Sequence, residues 1–145
     1  MGLLLFTACK KDPCKNVSCQ NGGTCNDGNC TCRLPWEGSR CEVDGRDKFV
    51  GAWSGTQNCG GSVDNVRFII TKSSVEATVI LIEGEIRGEL TSSTTFNVPN
   101  QQIVIQGTAY TISGNGVLNG NVLTLNLNIS YGGQGGTCAY TLTRL

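Results

Sequence analysis

From Lys48 to the end of the chain, apolar and polar residues alternate with a period of two. Val66, Phe68 and Ile70 alternate with Asn65, Arg67 and Ile69, and Val75, Ala77, Val79 and Leu81 continue the pattern. Ile86 and Leu90 flank Gly88; Phe96 pairs with Val98, Ile103 with Ile105, and Tyr110 with Ile112. Leu123, Leu125, Leu127 and Ile129 are interleaved with Thr124, Asn126, Asn128 and Ser130, and Tyr140 and Leu142 close the series. This periodicity places one face of each segment in a core and the other in water, as in half-buried strands. Turn signals fall between the segments: Gly60-Gly61, Lys72-Ser73-Ser74, Glu83-Gly84, Pro99-Asn100, Gly114-Asn115-Gly116, Asn119-Gly120-Asn121 and the hairpin loop Gly132 to Gly136. Helix signals are weak. The pattern predicts an all-β fold, an antiparallel meander of about eight strands over residues 48–145. Closure into a barrel would remove its exposed edges.

The nine cysteines divide the chain. Cys9 ends a short apolar run. Cys14, Cys19, Cys25, Cys30, Cys32 and Cys41 crowd into a segment too short to bury a core of its own, which implies oxidising surroundings. Cys59 and Cys138 stand alone in the long tail. Six cysteines permit fifteen pairings, and spacing alone does not choose among them. Their spacing is poor for zinc, since a Cys-x-Cys without His or paired Cys-x2-Cys does not build a tetrahedral site. Asn26-Asp27-Gly28-Asn29 reads as the tight turn of a two-stranded hairpin. The polar stretch Glu42 to Asp47 reads as a hinge, with a linker at 43–47.

The small module resembles the EGF-like domain over residues 13–42. The matching residues are Asn21-Gly22-Gly23-Thr24-Cys25, Cys30-Thr31-Cys32 and Pro35-Trp36-Glu37-Gly38-Ser39-Arg40-Cys41. The resemblance implies the pairs Cys14–Cys25, Cys19–Cys30 and Cys32–Cys41. Each such loop is worth about 3 kcal/mol by closure entropy. The calcium-binding subclass needs an acidic pair before its first Cys and a longer loop between the third and fourth. Asp12 has no Glu beside it, so Asp12, Asp27 and Glu37 are expected to be solvated or turn residues and no calcium site is expected. Modules of this kind serve as spacers or protein-binding surfaces, and a single copy suits a spacer.

The amino terminus Met1-Gly2-Leu3-Leu4-Leu5-Phe6-Thr7-Ala8-Cys9 resembles the end of a bacterial lipoprotein signal peptide. Thr7, Ala8 and Cys9 match the small residues and the lipid-accepting Cys, whereas Phe6 stands where Leu is usual. A basic n-region is missing, which points to a start upstream. Residues 1–12 are accordingly read as signal remnant and tether, with Cys9 as the lipidation site. Lys10 after it lacks the Asp that retains such proteins in the inner membrane. The expected location is the bacterial cell envelope, anchored by lipid to the outer membrane.

The opening Phe49-Val50-Gly51-Ala52-Trp53-Ser54-Gly55 resembles the start of a lipocalin-like (calycin) barrel. That family carries Gly-x-Trp on its first strand and a basic side chain near the last strand lying across the Trp. Gly51, Trp53 and Arg144 fit that signature. A register argument supports it. If terminal strands pair antiparallel, the numbers of opposed residues have a constant sum. Cys59 and Cys138 add to 197, and so do Trp53 and Arg144. A Cys59–Cys138 bridge across the seam would be worth about 4.5 kcal/mol at most, and an Arg over a Trp face about 1 kcal/mol. The resemblance reaches the shape of the domain only, which is shorter than usual lipocalins.

Charge and chemistry narrow the function. Eleven basic residues balance eleven acidic ones, so there is no basic stripe for nucleic acid. The chain has no histidine, and its cysteines are otherwise assigned, so neither the commonest general base nor a thiol nucleophile remains. Glu83, Glu85 and Glu89 share parity and could hide a carboxylate pair for glycoside hydrolysis, but a solvated hairpin face is the expected reading. No enzyme activity, metal or cofactor is expected. The expected function is that of a non-enzymatic, lipid-anchored envelope protein presenting a barrel to a small apolar molecule or a protein partner. A structural or adhesive module with a filled barrel is the alternative, and a carbohydrate-active enzyme comes third. Val79, Leu81, Leu125 and Leu127 are the inward candidates, and their bulk favours a filled core.

Overall fold

The structure, a computed structural model, describes residues 9–145. The signal-peptide reading of Phe6, Thr7 and Ala8 therefore lies outside the described residues. Cys9 lies within them, exposed and unpaired.

The small module is held by bridges in place of a core. Strand β1 (Thr24–Asn26) turns through Asp27 and Gly28 into β2 (Asn29–Thr31), with Cys25 opposite Cys30. Both turn residues have positive φ, 52° and 86°, the geometry of a two-residue hairpin turn. A second pair joins β3 (Trp36–Glu37) to β4 (Val43–Asp44). The bridges are Cys14–Cys25, Cys19–Cys30 and Cys32–Cys41, the same pairs that the resemblance implies. Of the module's side chains, Cys41 and Pro35 are the buried apolar ones, too few to stabilise it without those covalent loops.

The stretch expected to be a hinge is a built junction. Val43 and Asp44 pair back onto the module, and a short 3-10 helix follows at Gly45–Lys48. Arg46 is 8% exposed. Its guanidinium grips the Asp44 carboxylate and donates to the carbonyls of Ser73, Glu76 and Val79, all in the barrel. Lys72 reaches both Asp44 and Asp47, and Lys48 reaches Glu37. Six charges on both sides of the junction satisfy one another, so the sequence's polarity there reflects a network and not a loose linker.

The tail closes into one antiparallel barrel. Its strands are β5 (Gly51–Cys59), β6 (Ser62–Lys72), β7 (Val79–Ile82), β8 (Ile86–Leu90), β9 (Thr95–Ile105), β10 (Thr108–Asn119), β11 (Val122–Tyr131) and β12 (Gln134–Arg144). Each pairs with the next, and β12 returns to β5. The seam runs without a bulge from Cys138 opposite Cys59 to Arg144 opposite Trp53. The two sulfurs are bonded, with Cα atoms 4.3 Å apart, the spacing of a non-hydrogen-bonded antiparallel pair.

Several segments differ from the sequence expectation. Gly114-Asn115-Gly116 is not a turn but the middle of β10, and Pro99-Asn100 is not a turn but lies within β9 beside a bulge. Of Gly132 to Gly136, only Gly132 and Gly133 turn; Gly135 and Gly136 belong to β12. Val75 and Ala77 lie in the loop before β7, and Val75 is largely in solvent. The inward residues of β7 are Ile80 and Ile82, not Val79 and Leu81, because Ile82 is opposite the core residue Ile70. Val79 is buried apart from the main core, and Leu81 is half-buried. Leu125 and Leu127 do face inward.

One half of the barrel is filled. Phe49, Trp53, Ile70, Ile80, Phe96, Leu123 and Leu142 are fully buried there, each worth about 1.5–3 kcal/mol of transfer free energy. Phe96 meets Phe49 edge-on at 5.5 Å. Its ring fits because the wall opposite is glycine. A Cβ at Gly116 would stand 2.2 Å from Phe96 Cζ, and one at Gly88 would stand 2.9 Å from Cδ2.

Candidate functional site: an apolar cavity at the open end of the barrel

Strand length decides where the barrel is hollow. Six of the eight strands run nine to twelve residues, but β7 has four and β8 has five. The β7–β8 hairpin therefore stops short at Glu83–Glu85 while β6 and β9 continue on either side. The end carrying the Gly60–Gly61, Gln106–Gly107 and Gly132–Gly133 turns is left open above that sill. A cavity of about 400 Å³ lies there, within the range of small-molecule sites. Ile86, Ile103, Ile112, Leu127 and Ile129 form its aliphatic wall. Phe68 and Tyr140 supply a tilted aromatic pair, 5.3 Å between centroids. Ile105 stands half in solvent at the rim.

The polar groups of the cavity are few. Glu83 and Glu85 line it from the sill. One Glu83 carboxylate oxygen accepts from the Ile69 N–H at 2.5 Å, and the Glu83 N–H donates to the Ile69 carbonyl at 2.8 Å. Among the described residues neither Glu83 nor Glu85 forms an ion pair, and no Lys or Arg lines the cavity. Tyr140 is 5% exposed. Burial raises its phenol above the ordinary tyrosine value, so it stays protonated at neutral pH. Its hydroxyl makes no hydrogen bond among the described residues, yet it is not sealed away from the cavity.

Glu89 does not join this site. It lies with Glu76 on Arg87, outside the lumen. The parity shared by Glu83, Glu85 and Glu89 is broken by the turn, where Glu83 and Gly84 have φ of 54° and 75°. The three carboxylates expected on one hairpin face are thus divided between mouth and outer wall.

The barrel signature closes the other end. Trp53 donates its indole N–H to the Phe49 carbonyl at 2.7 Å. The Arg144 guanidinium lies 4.9 Å above the Trp53 ring and donates to the carbonyls of Val50 (2.6 Å) and Lys48. Gly51, at φ 130°, leaves room for it, since a Cβ there would be 3.3 Å from an Arg144 nitrogen. Gly51, Trp53 and Arg144 therefore plug the end nearest the small module and take no part in the cavity. The Cys59–Cys138 bridge lies towards the open end of the same seam. A second hollow of about 330 Å³ lies over β10, β11 and β12 and is lined by Thr111, Ser113, Asn128, Ser130 and Thr137 among others.

The sequence reading missed the cavity as a place and Arg46 as a contact. The signal for the cavity was present: a short apolar run, 79–82, joined by a tight turn to another short one, between longer strands. Arg46 carries no such signal, because its carbonyl partners belong to a loop remote in sequence. In comparisons with protein families, curated proteins and solved structures, the chain finds no match.

Proposed function

We propose that this protein is a non-enzymatic, lipid-anchored envelope protein whose EGF-like module carries a lipocalin-like barrel, and that the barrel's open half binds a small apolar molecule. The observation that carries this reading is the aliphatic and aromatic cavity of about 400 Å³ above the short β7–β8 hairpin. Cys9 is exposed on the module side, and the mouth is at the far end of the barrel. An anchor on Cys9 would leave the mouth facing away from the membrane, with the charged junction around Arg46 holding that orientation.

Binding is tested by titrating the oxidised full chain with an environment-sensitive apolar dye. Saturable binding is expected in wild type. Ile129→Trp, at a half-buried position on the cavity wall, should abolish it with an unchanged melting temperature. Unaltered dye binding in that variant would remove the lumen from the argument. Anchoring is tested by acyl labelling of the protein, which Cys9→Ala should eliminate.

A second reading has its own observation. Val63, Ile69, Val104, Ile105 and Tyr131 are each about half exposed or more. Val63, Val104, Ile105 and Tyr131 lie at strand ends on the open side of the barrel, and an apolar rim of this kind suits a protein partner. With a partner on the rim, Val63→Asp and Val104→Asp should lose its binding while Ile129→Trp keeps it.

A further inference from the structure

The cavity's polar groups define a narrower class of ligand than apolarity alone. Two carboxylates stand on its sill, at Glu83 and Glu85, and neither is neutralised by a cation among the described residues. Glu83 spends one oxygen on the Ile69 N–H and keeps the other. Deeper in, Tyr140 also lines the cavity; the residue is largely buried, but its hydroxyl stays open and has no protein partner among the described residues. An unpartnered hydroxyl open on a cavity wall is free to donate to an occupant. The walls between these two points are aliphatic. A bound molecule therefore meets negative charge at the mouth, hydrocarbon along its length, and one hydrogen-bond donor inside.

Resting on the lumen-binding reading above, we propose that the cavity selects a small apolar amine, its ammonium held at the mouth by Glu83 and Glu85, its body on the Ile and Leu wall, and an acceptor oxygen at its inner end bonded to the Tyr140 hydroxyl. Fatty acids and other carboxylates are excluded, because their head group would be placed against like charge in a site that offers no counter-ion. Such repulsion is paired with desolvation at a half-enclosed mouth, where charges are screened less than on an open surface.

The test compares matched probes on the oxidised wild-type chain by calorimetry at low salt. The probes are 4-phenylbutylamine, 4-phenylbutanol and 4-phenylbutanoate. The amine should bind about tenfold more tightly than the alcohol and the carboxylate most weakly, with the spread shrinking at high salt. Glu85→Gln should bring the amine's affinity close to that of the alcohol and leave the alcohol's affinity unchanged. Adding a para-methoxy oxygen to the amine should improve its binding several-fold, and Tyr140→Phe should erase that gain alone. If none of the three probes binds, the lumen reading itself fails. Equal binding of all three, or preference for the carboxylate, overturns the amine proposal while leaving the lumen intact. A Glu85→Gln variant that weakens amine and alcohol alike also overturns it.

Discussion

Gly116→Ala adds one methyl group to the barrel interior, and the structure fixes where that group must go. The backbone at Gly116 is one that any residue adopts, so the substitution brings no conformational penalty of its own. The new Cβ would stand 2.2 Å from Phe96 Cζ, 2.4 Å from Cε1 and 2.8 Å from Leu125 Cδ2. The ring has no retreat, because Gly88 lies against its other edge at a distance that already excludes a Cβ, and Phe49 packs on it. Overpacking of this kind costs about 1–3 kcal/mol. Phe96→Leu alone should cost about 1–2 kcal/mol, the smaller end of core truncations. The double variant should be more stable than the sum of the two predicts by about 1–2 kcal/mol, since the shortened side chain vacates the space the methyl needs. Urea unfolding followed by far-UV circular dichroism measures all four proteins with bridges intact. Gly133→Ala is the control: φ there is 78° with nothing nearby, so its cost of about 1 kcal/mol comes from the backbone and Phe96→Leu should not relieve it. Additive costs at Gly116 and Phe96, or a neutral Gly116→Ala, would refute the packing account.

Replacing Cys59 and Cys138 together by Ala should lower stability by up to about 4.5 kcal/mol for this long loop, read as a shift in urea midpoint, and an unchanged midpoint would show the seam stable without its bridge. Arg46→Met should cost about 2–4 kcal/mol, because it strips partners from three barrel carbonyls and from the Asp44 carboxylate. Desolvation pushes Asp44 up, but its hydrogen bonds from Arg46 and Lys72 outweigh that and hold it below the usual aspartate value. Its contribution is therefore complete above the unfolded value of about 3.9 and is lost as pH falls through the lower folded value. Stability measured between pH 6 and pH 2 should drop in that window, and Arg46→Met should flatten the drop. Arg144→Met should cost about 1 kcal/mol, the scale of an exposed cation over an indole, and should leave ligand binding in the open half untouched.

Period two located the strands because a side chain's face is set locally, and the seam followed because antiparallel pairing makes register an arithmetic constraint. Cys59, Cys138, Trp53 and Arg144 all obey it. Glycine was harder to interpret. Gly132 and Gly133 turn the chain, whereas Gly114 and Gly116 sit inside β10 and make room, the first for the backbone of β11 and the second for Phe96. The same residue type serves both needs, and only the tertiary neighbour distinguishes them. Parity on β7 failed for a related reason. Val75 and Ala77 extend the alternation by chance through a loop, so the count began on the wrong residue. The cavity lay further from view, since it depends on the difference in length between strands that touch only after closure.

Cutting one hairpin short should leave ragged backbone edges, yet side chains terminate two of them. The Glu83 carboxylate accepts from Ile69 N–H, where the β6–β7 ladder ends. The Gln101 side-chain amide does the same for β8, accepting from Arg87 N–H and donating to Arg87 carbonyl, both at 2.9 Å, where the bulge carries the β9 backbone away. A primary amide presents one donor and one acceptor in a plane, as a peptide unit does, and so completes the ladder without another residue of strand. Beyond Ile69, the edge groups two residues apart at Arg67, Asn65 and Val63 face the gap, by the alternation of an antiparallel strand. The wall thus ends at a defined line, with a carboxylate at its lip. The opening is a consequence of strand length fixed by two specific side chains, and the same Glu83 that finishes the ladder gives the mouth its negative charge.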